Sequence, residues 1–194
     1  MSLYRLMAEW EPQAAVMLSW PHEATDWQPL LPSVNQVYAE LAWHICRYSR
    51  LLIAAPASSH NAIVDMLAKR GVPQHLVSVY EVDSDDTWAR DHGPITVASD
   101  ACVKLLDFQF NGWGGKFDAS LDNAISGTLA RAGAFMAPLE TVDFVLEGGA
   151  IEADGEGTLM ATRECLLNPN RNGVVDQGEV EQELRCYFGV TTIN

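Results

Sequence analysis

Positive charge is scarce in this sequence: 12 basic side chains stand against 26 acidic ones, for a formal net charge of −14. A field of that sign repels the phosphates of nucleic acid and of anionic membranes and draws in cations. Nucleic-acid partners and phosphorylated substrates are thereby disfavoured and a small cationic ligand fits, although acidity also serves solubility. Long apolar runs are missing too. None approaches the roughly 20 residues that cross a bilayer, so no membrane partner is expected. The opening MSLYRLMAEWEP has none of the basic-then-apolar layout of a secretory leader, which makes a cytoplasmic location the expectation. Cysteine is sparse and scattered. Cys46, Cys102, Cys165 and Cys186 form no CxxC pair, which argues against a disulfide framework or a zinc knuckle. Reduced thiols are expected, with Cys46, Cys102 and Cys186 in the core.

What is present is enough apolar material for a core, 48% of 194 residues, in one domain or one and a half. Strand patterns over residues 14–19, 50–55 and 77–82 alternate with amphipathic helix patterns over residues 32–48 and 61–70. Ser58 and Ser59 are placed to cap the second helix, and Gly71 followed by Pro73 stops it. The rhythm then recurs. Strands are expected at 95–98, 104–110 and 141–146, with a helix near 121–132 and a hairpin of 150–153 with 158–162 around an Asp-Gly-Glu-Gly turn. A helix near 179–187 closes at Gly189, and VTTIN reads as the start of another strand. The fold class is α/β, with small recurring units of two or three strands and one helix, and no strict sequence repeat.

Four segments carry the chemistry. Residues 83–94, DSDDTWARDHGP, crowd four aspartates around a Trp directly after a strand. Strand-end loops hold functional sites, and a carboxylate beside an aromatic face suits a planar cation, so Trp88 and Asp91 together fit a guanidinium. Capping aspartates beside a half-buried Trp are the alternative reading. A metal site with His92 among the acids is a third, but the spacing matches no calcium loop. In VLEGGAIEADGEGTLMAT, residues 145–162, an apolar strand delivers Glu147 to Gly148-Gly149, where the backbone can turn and admit a close neighbour. Such a carboxylate could orient or charge a histidine, or be an ordinary strand-end glutamate. Glu152 and Glu156 fall at the hairpin turn and are expected in solvent. FQFNGWGGK, residues 108–116, places Trp113 among glycines for close packing on a ligand or a loop. CLLNPNRNG, residues 165–173, carries turn signals and reads as structural.

Taken together, WARDHGP (88–94), FNGWGGK (110–116), LEGGAIEADGEGTL (146–159) and ECLLNPNRN (164–172), in that order, resemble the agmatine deiminase and Porphyromonas-type peptidylarginine deiminase family. EWEPQAAVMLSWPH, residues 9–22, is similar to that family's first strand. The resemblance covers the whole chain. It implies an α/β propeller, or pentein, of repeated ββαβ units. It also implies a reaction in which a cysteine thiolate attacks the guanidinium carbon, ammonia leaves and water resolves the intermediate, with no metal or other cofactor. Carried onto this sequence, Asp91 holds guanidinium nitrogens, Trp88 lines the same pocket with Trp113 beside it, and Glu147 partners the catalytic histidine. The family's histidine, a second aspartate two residues after it and the cysteine belong to its later portion. Residues 1–194 are therefore expected to be the front part of the propeller domain, inactive alone and prone to form a homo-oligomer. Cys165 is not expected to substitute as nucleophile, since all five histidines precede it.

Within the resemblance, agmatine is the expected substrate, because no Arg occurs between Asp91 and Arg131 to meet a substrate carboxylate. A peptidylarginine or other guanidine deiminase, or a non-catalytic domain that binds guanidino compounds or polyamines, are the alternatives.

Overall fold

A computed structural model describes residues 4–194, and the chain in it divides into two compact units, each with its own apolar core. Residues 1–3 of the opening segment lie outside the described residues. One unit takes the chain up to Glu11, Arg90–Asp118 and Phe135–Asn194; the other takes Pro12–Ala89 and Ala119–Ala134.

The chain starts in the first unit with strand β1 (Arg5–Leu6) and then builds the second unit. There β2 (Ala15–Ser19), α1 (Leu31–Ile45), β3 (Arg50–Ala55), α2 (His60–Arg70) and β4 (Val77–Glu81) alternate. The strands form a parallel sheet in the order β2-β3-β4. A central parallel strand is covered on both faces and so reads as a near-continuous apolar run. RLLIAA does, and Leu51, Ile53, Ala54 and Ala55 are buried. Helix α1 presents small residues, Ala39 and Ala42, to that core, while Trp20 sits edge-on to Tyr38 and donates from Nε1 to Asn35 Oδ1 at 2.7 Å. Helix α2 buries Ile63 and Leu67, one turn apart, and stops at Gly71 in the left-handed region at φ 81°. The expected serine cap is corrected. A 3₁₀ turn, Ala57–Ser59, leads into α2, and Ser59 already has helical angles, so its hydroxyl makes no cap bond. A capping side chain needs an extended residue at that position.

The chain returns to the first unit through a one-turn helix, α3 (Ala89–His92), followed by β5 (Ile95–Ala98) and β6 (Val103–Gln109). A glycine turn, α4 (Gly112–Gly115), precedes α5 (Ile125–Arg131) of the second unit, and β7 (Leu139–Val145) completes a sheet of order β1-β5-β6-β7. Beyond it, β8 (Ile151–Ala153) and β9 (Thr158–Ala161) form the expected hairpin. Asp154 Oδ1 braces that turn by accepting from the N–H of Glu156 and of Thr158 at 2.8 and 2.9 Å, so a carboxylate shapes it along with the glycines. One-turn helices α6 (Arg163–Leu166) and α7 (Pro169–Asn172) lead to α8 (Gln177–Phe188), which opens on a capping box of Asp176 and Glu179. Strand β10 (Thr192–Ile193) then pairs parallel to β9.

The fold is mixed α/β in three open sheets, without a closed propeller among the described residues. Two of the sheets share one pairing order: β5 and β8 each pair antiparallel with the next strand, and that strand pairs parallel with the third. No helix among the described residues is long and apolar enough to cross a membrane. Cys46 is buried, whereas Cys102 and Cys186 are exposed, against expectation. Helix α8 buries Val180, Leu184 and Phe188, and Cys186 falls off that stripe; Cys102 ends the turn before β6.

Gly189 closes α8 at φ 64°, and a Cβ there would run into the carbonyl oxygen of Tyr4. Gly71 has a similar angle, but nothing lies within 4 Å of its would-be Cβ. Gly71→Ala should therefore cost about 1–2 kcal/mol, the left-handed penalty alone. Gly189→Ala should cost clearly more in urea unfolding, because the Tyr4 backbone cannot yield as a flexible side chain would.

Candidate functional site

The first unit gathers three of the four candidate residues. Strand β7 runs out at Val145, and Glu147 follows in extended conformation with only 3% of its surface exposed. A carboxylate that deep needs a cation or N–H donors, and a cation is the stronger partner. It has one in Arg171, whose Nε–H lies 2.8 and 3.0 Å from the two carboxylate oxygens, both side chains being nearly buried. Arg171 stands on α7, and the next residue, Asn172, secures that turn by bonding both the N–H and the C=O of Val145, at 2.8 and 2.9 Å.

The two glycines after Glu147 serve close approach. A Cβ on Gly148 would strike the carbonyl oxygen of Arg90, and one on Gly149 would strike Asp91 Oδ1. The backbone of the Glu147 segment thus lies directly on α3, and the Gly149 N–H donates to Asp91 Oδ1 at 3.0 Å. The sequence reading left room for a ligand beside this pair of glycines; the structure fills it with the Arg90–Asp91 backbone and carboxylate. Arg90 in turn pairs with Glu9 and, at 3.7 Å, with Glu152.

Trp113 supplies the second donor to Asp91, from Nε1 to Oδ2 at 3.1 Å. Its backbone is in the left-handed region at φ 58°, the one non-glycine residue so placed among those described. A bulky residue there costs on the order of 1–3 kcal/mol and persists where its surroundings over-determine it. Here Asn111 Oδ1 accepts from Gly114 N at 2.8 Å, and the indole stands edge-on between Phe110 and Phe117. Both Asp91 oxygens are therefore anchored, each with lone-pair capacity left for further N–H donors.

Trp88, the fourth candidate, lies in the second unit; its ring is half exposed, and its Nε1 donates to Asp86 Oδ2 at 2.9 Å. That loop is braced by reciprocal aspartates. Asp122 Oδ1 accepts from the N–H groups of Asp85 and Asp86, and Asp85 Oδ2 accepts from the N–H of Leu121. Burial pushes the Asp122 carboxyl up to about 6. In the first unit, burial holds His92 down at about 4 with its ring against Phe110, which makes it a neutral packing residue among the acids rather than a charged one. His22 bonds Ser84, and His44 pairs with Glu40 at 3.2 Å. No group of three or more His, Cys, Asp or Glu among the described residues is set to hold a metal ion.

Sequence reasoning missed Arg171 and Asp122. A signal existed for the first, since a glutamate delivered to a buried strand end needs a cation and basic residues are few. Nothing in the sequence links Asp122 to the 83–88 loop.

Residues 5–194 match the family model of the Porphyromonas-type peptidyl-arginine deiminases. The chain belongs to that family. It is 36% identical over 197 residues to the agmatine deiminase of Pseudomonas aeruginosa, covering 98% of this chain and 52% of that protein. The agmatine deiminase of Medicago truncatula is 33% identical over 204 residues, with 98% and 52% covered. Among solved structures, a C. jejuni agmatine deiminase variant with substrate bound superposes with a TM-score of 0.88 at 36% identity, over 98% of this chain and 55% of that one. The chain spans about half the length of the curated relatives it matches.

The buried carboxyl of Asp122 makes the stability of the second unit depend on pH. Its folded-state value of about 6 lies above the ordinary 3.8, so the folded chain takes up the proton first as pH falls. The buried charge is thus a full cost above about pH 6 that vanishes below about 3.8. Asp122→Asn keeps the acceptor oxygen and removes the charge, so it should stabilise the second unit at pH 7 by up to about 3 kcal/mol, with the gain gone by pH 4. His92 works the other way, losing stability as pH falls from 6.5 to about 4. Denaturant unfolding of parent and variant across pH 4–7 separates the two.

Proposed function

We propose that the protein is an agmatine deiminase-type hydrolase, converting agmatine and water to N-carbamoylputrescine and ammonia, and that this chain supplies the guanidinium-gripping side of the site. The observation that carries the reading is the Asp91 carboxylate, anchored at both oxygens by the Gly149 N–H and Trp113 Nε1. A fixed carboxylate plane accepts paired N–H bonds from a guanidinium without reorganising, which presents the central carbon to a nucleophile. In this reading Asp91, Trp88 and Trp113 bind the substrate, and Glu147 is the catalytic carboxylate that steadies the proton-carrying histidine. A thiolate attacks the carbon, ammonia departs with a proton delivered to it, and water releases the product. Cys165, on α6, is not assigned to that step.

Agmatine is favoured over a substrate with a carboxylate by the state of the nearby cations. Arg90 is paired with Glu9 and Glu152, and Arg171 with Glu147, so neither guanidinium is at hand for a substrate anion. The net charge of −14 favours a dication in the same direction. The relatives named agmatine deiminase, at 33–36% identity, support the same choice. The shared pairing order of the β5–β7 and β8–β10 sheets supports a further element of the reading, that these are successive ββαβ units of an α/β propeller.

Kinetics on the native full-length protein test the assignment. Asp91→Asn, in variant protein whose circular dichroism matches the parent, should lower kcat/KM for agmatine by about 30- to several-thousand-fold, the cost of removing one partner of a desolvated charge pair. Asp83→Asn, an exposed change, should stay within about threefold. The reverse ranking would show that the wrong carboxylate has been chosen.

A further inference from the structure

The ion pair of Arg171 and Glu147 is an unusual use of scarce basic residues. Two charges taken out of water seldom stabilise a fold more than apolar side chains of the same volume would. What such a pair does supply is direction. Arg171 Nε–H is shared between the two oxygens of Glu147, at 2.8 and 3.0 Å, which fixes the point at which the carboxylate ends and the direction in which the side chain reaches it. The arginine is itself immobilised. Asn172 bonds both backbone groups of Val145, two residues before Glu147, and Asn111 Nδ2 donates to the carbonyl of Asn170 at 2.9 Å. A Cβ at Gly114 would lie 3.4 Å from one terminal guanidinium nitrogen of Arg171, so the Trp113 loop forms a wall beside it.

These contacts close a ring. Arg171 holds Glu147; Glu147 leads through Gly148 to Gly149; Gly149 and Trp113 hold Asp91; and the turn after Trp113 packs back on Arg171. We propose that Arg171 is a positioning residue for the deiminase reaction, gripping Glu147 by both oxygens so that the carboxylate is held at one place for the proton-carrying group. This rests on the reading of Glu147 as the catalytic carboxylate. Arg171 touches neither the substrate nor the reacting atoms, and the segment that carries it, NPNRN, is more than the structural turn its sequence suggests.

The consequence is a split between kinetic constants. Asp91 keeps both of its own donors when Arg171 is changed, so binding of agmatine is preserved while the proton transfers lose alignment. In the native full-length protein, Arg171→Met should lower kcat by about 100-fold, the scale of a misplacement near 1 Å, and leave KM for agmatine within about threefold. Arg171→Lys keeps the charge but has no rigid planar donor, so it should recover part of the loss and still fall short of the parent by about tenfold. As an independent reading of the grip, the Arg171 Nε–H, followed by ¹⁵N-edited NMR in this chain, should exchange slowly with solvent and become fast in Glu147→Gln.

A rise in KM at unchanged kcat would place Arg171 on the substrate and overturn the proposal. So would a folded Arg171→Met, or an Arg171→Lys, with parental kcat. If Arg171→Met does not fold, Arg171→Lys decides; if neither folds, Arg171 is a fold residue and the proposal is wrong. A parent that releases no ammonia from agmatine refutes the proposed reaction, and the role with it. Slow Nε exchange in that case would identify the pair as a fold contact.

Discussion

The structure of the first unit depends on one close approach, that of the Gly148-Gly149 backbone to Arg90 and Asp91. Neither glycine can carry a Cβ, because the Arg90 carbonyl and the Asp91 carboxylate occupy the space. With side chains excluded, a backbone N–H comes within hydrogen-bond reach of a carboxylate 58 positions away in sequence. That contact fixes where the end of β7 sits relative to α3, and so sets the separation of Glu147 from Asp91. The Trp113 indole can then complete the hold on Asp91, at the cost of a left-handed backbone. Strain of this kind survives where several contacts demand it, and here Asn111, Phe110 and Phe117 share the demand.

Charge is handled differently in the two units. In the first, the buried glutamate is given an arginine, and the exposed glutamates around Arg90 give that residue partners of its own. In the second, the buried aspartate is given backbone N–H groups and no cation, and burial drives its proton affinity up. The first arrangement holds a carboxylate in place through a cation; the second uses one to brace a loop and accepts the desolvation cost. Both follow from a chain with few cations to distribute.

Most secondary structure was legible from the sequence because the signals are local. RLLIAA reads as a covered strand, Gly71 and Gly189 as helix stops, and the Asp-Gly-Glu-Gly turn as a hairpin, since each depends on side-chain period or on backbone angles within a few residues. The serine cap at α2 failed because propensity says which residues can cap but not whether the preceding turn is already helical. Cys186 was misplaced because the apolar stripe of α8 is set by what it packs on. Strand β1 and the pairing of β10 escaped notice, two residues being too few to show a period.

The sequence alone determined the family, the α/β class, the order of the longer strands and helices and the identity of the candidate side chains, because motif spacing and hydrophobic period are written along the chain. Only the tertiary structure decided what those side chains touch. Asp91, Trp113 and Glu147 are scattered over nearly 60 positions, and Arg171 had the look of a turn residue. Their association requires the β7 end and the glycine turn to converge on α3, and α7 to pack on both. Convergence of that kind comes from packing between segments distant in sequence, where a close backbone approach or a buried charge selects its partner by geometry that no local pattern records.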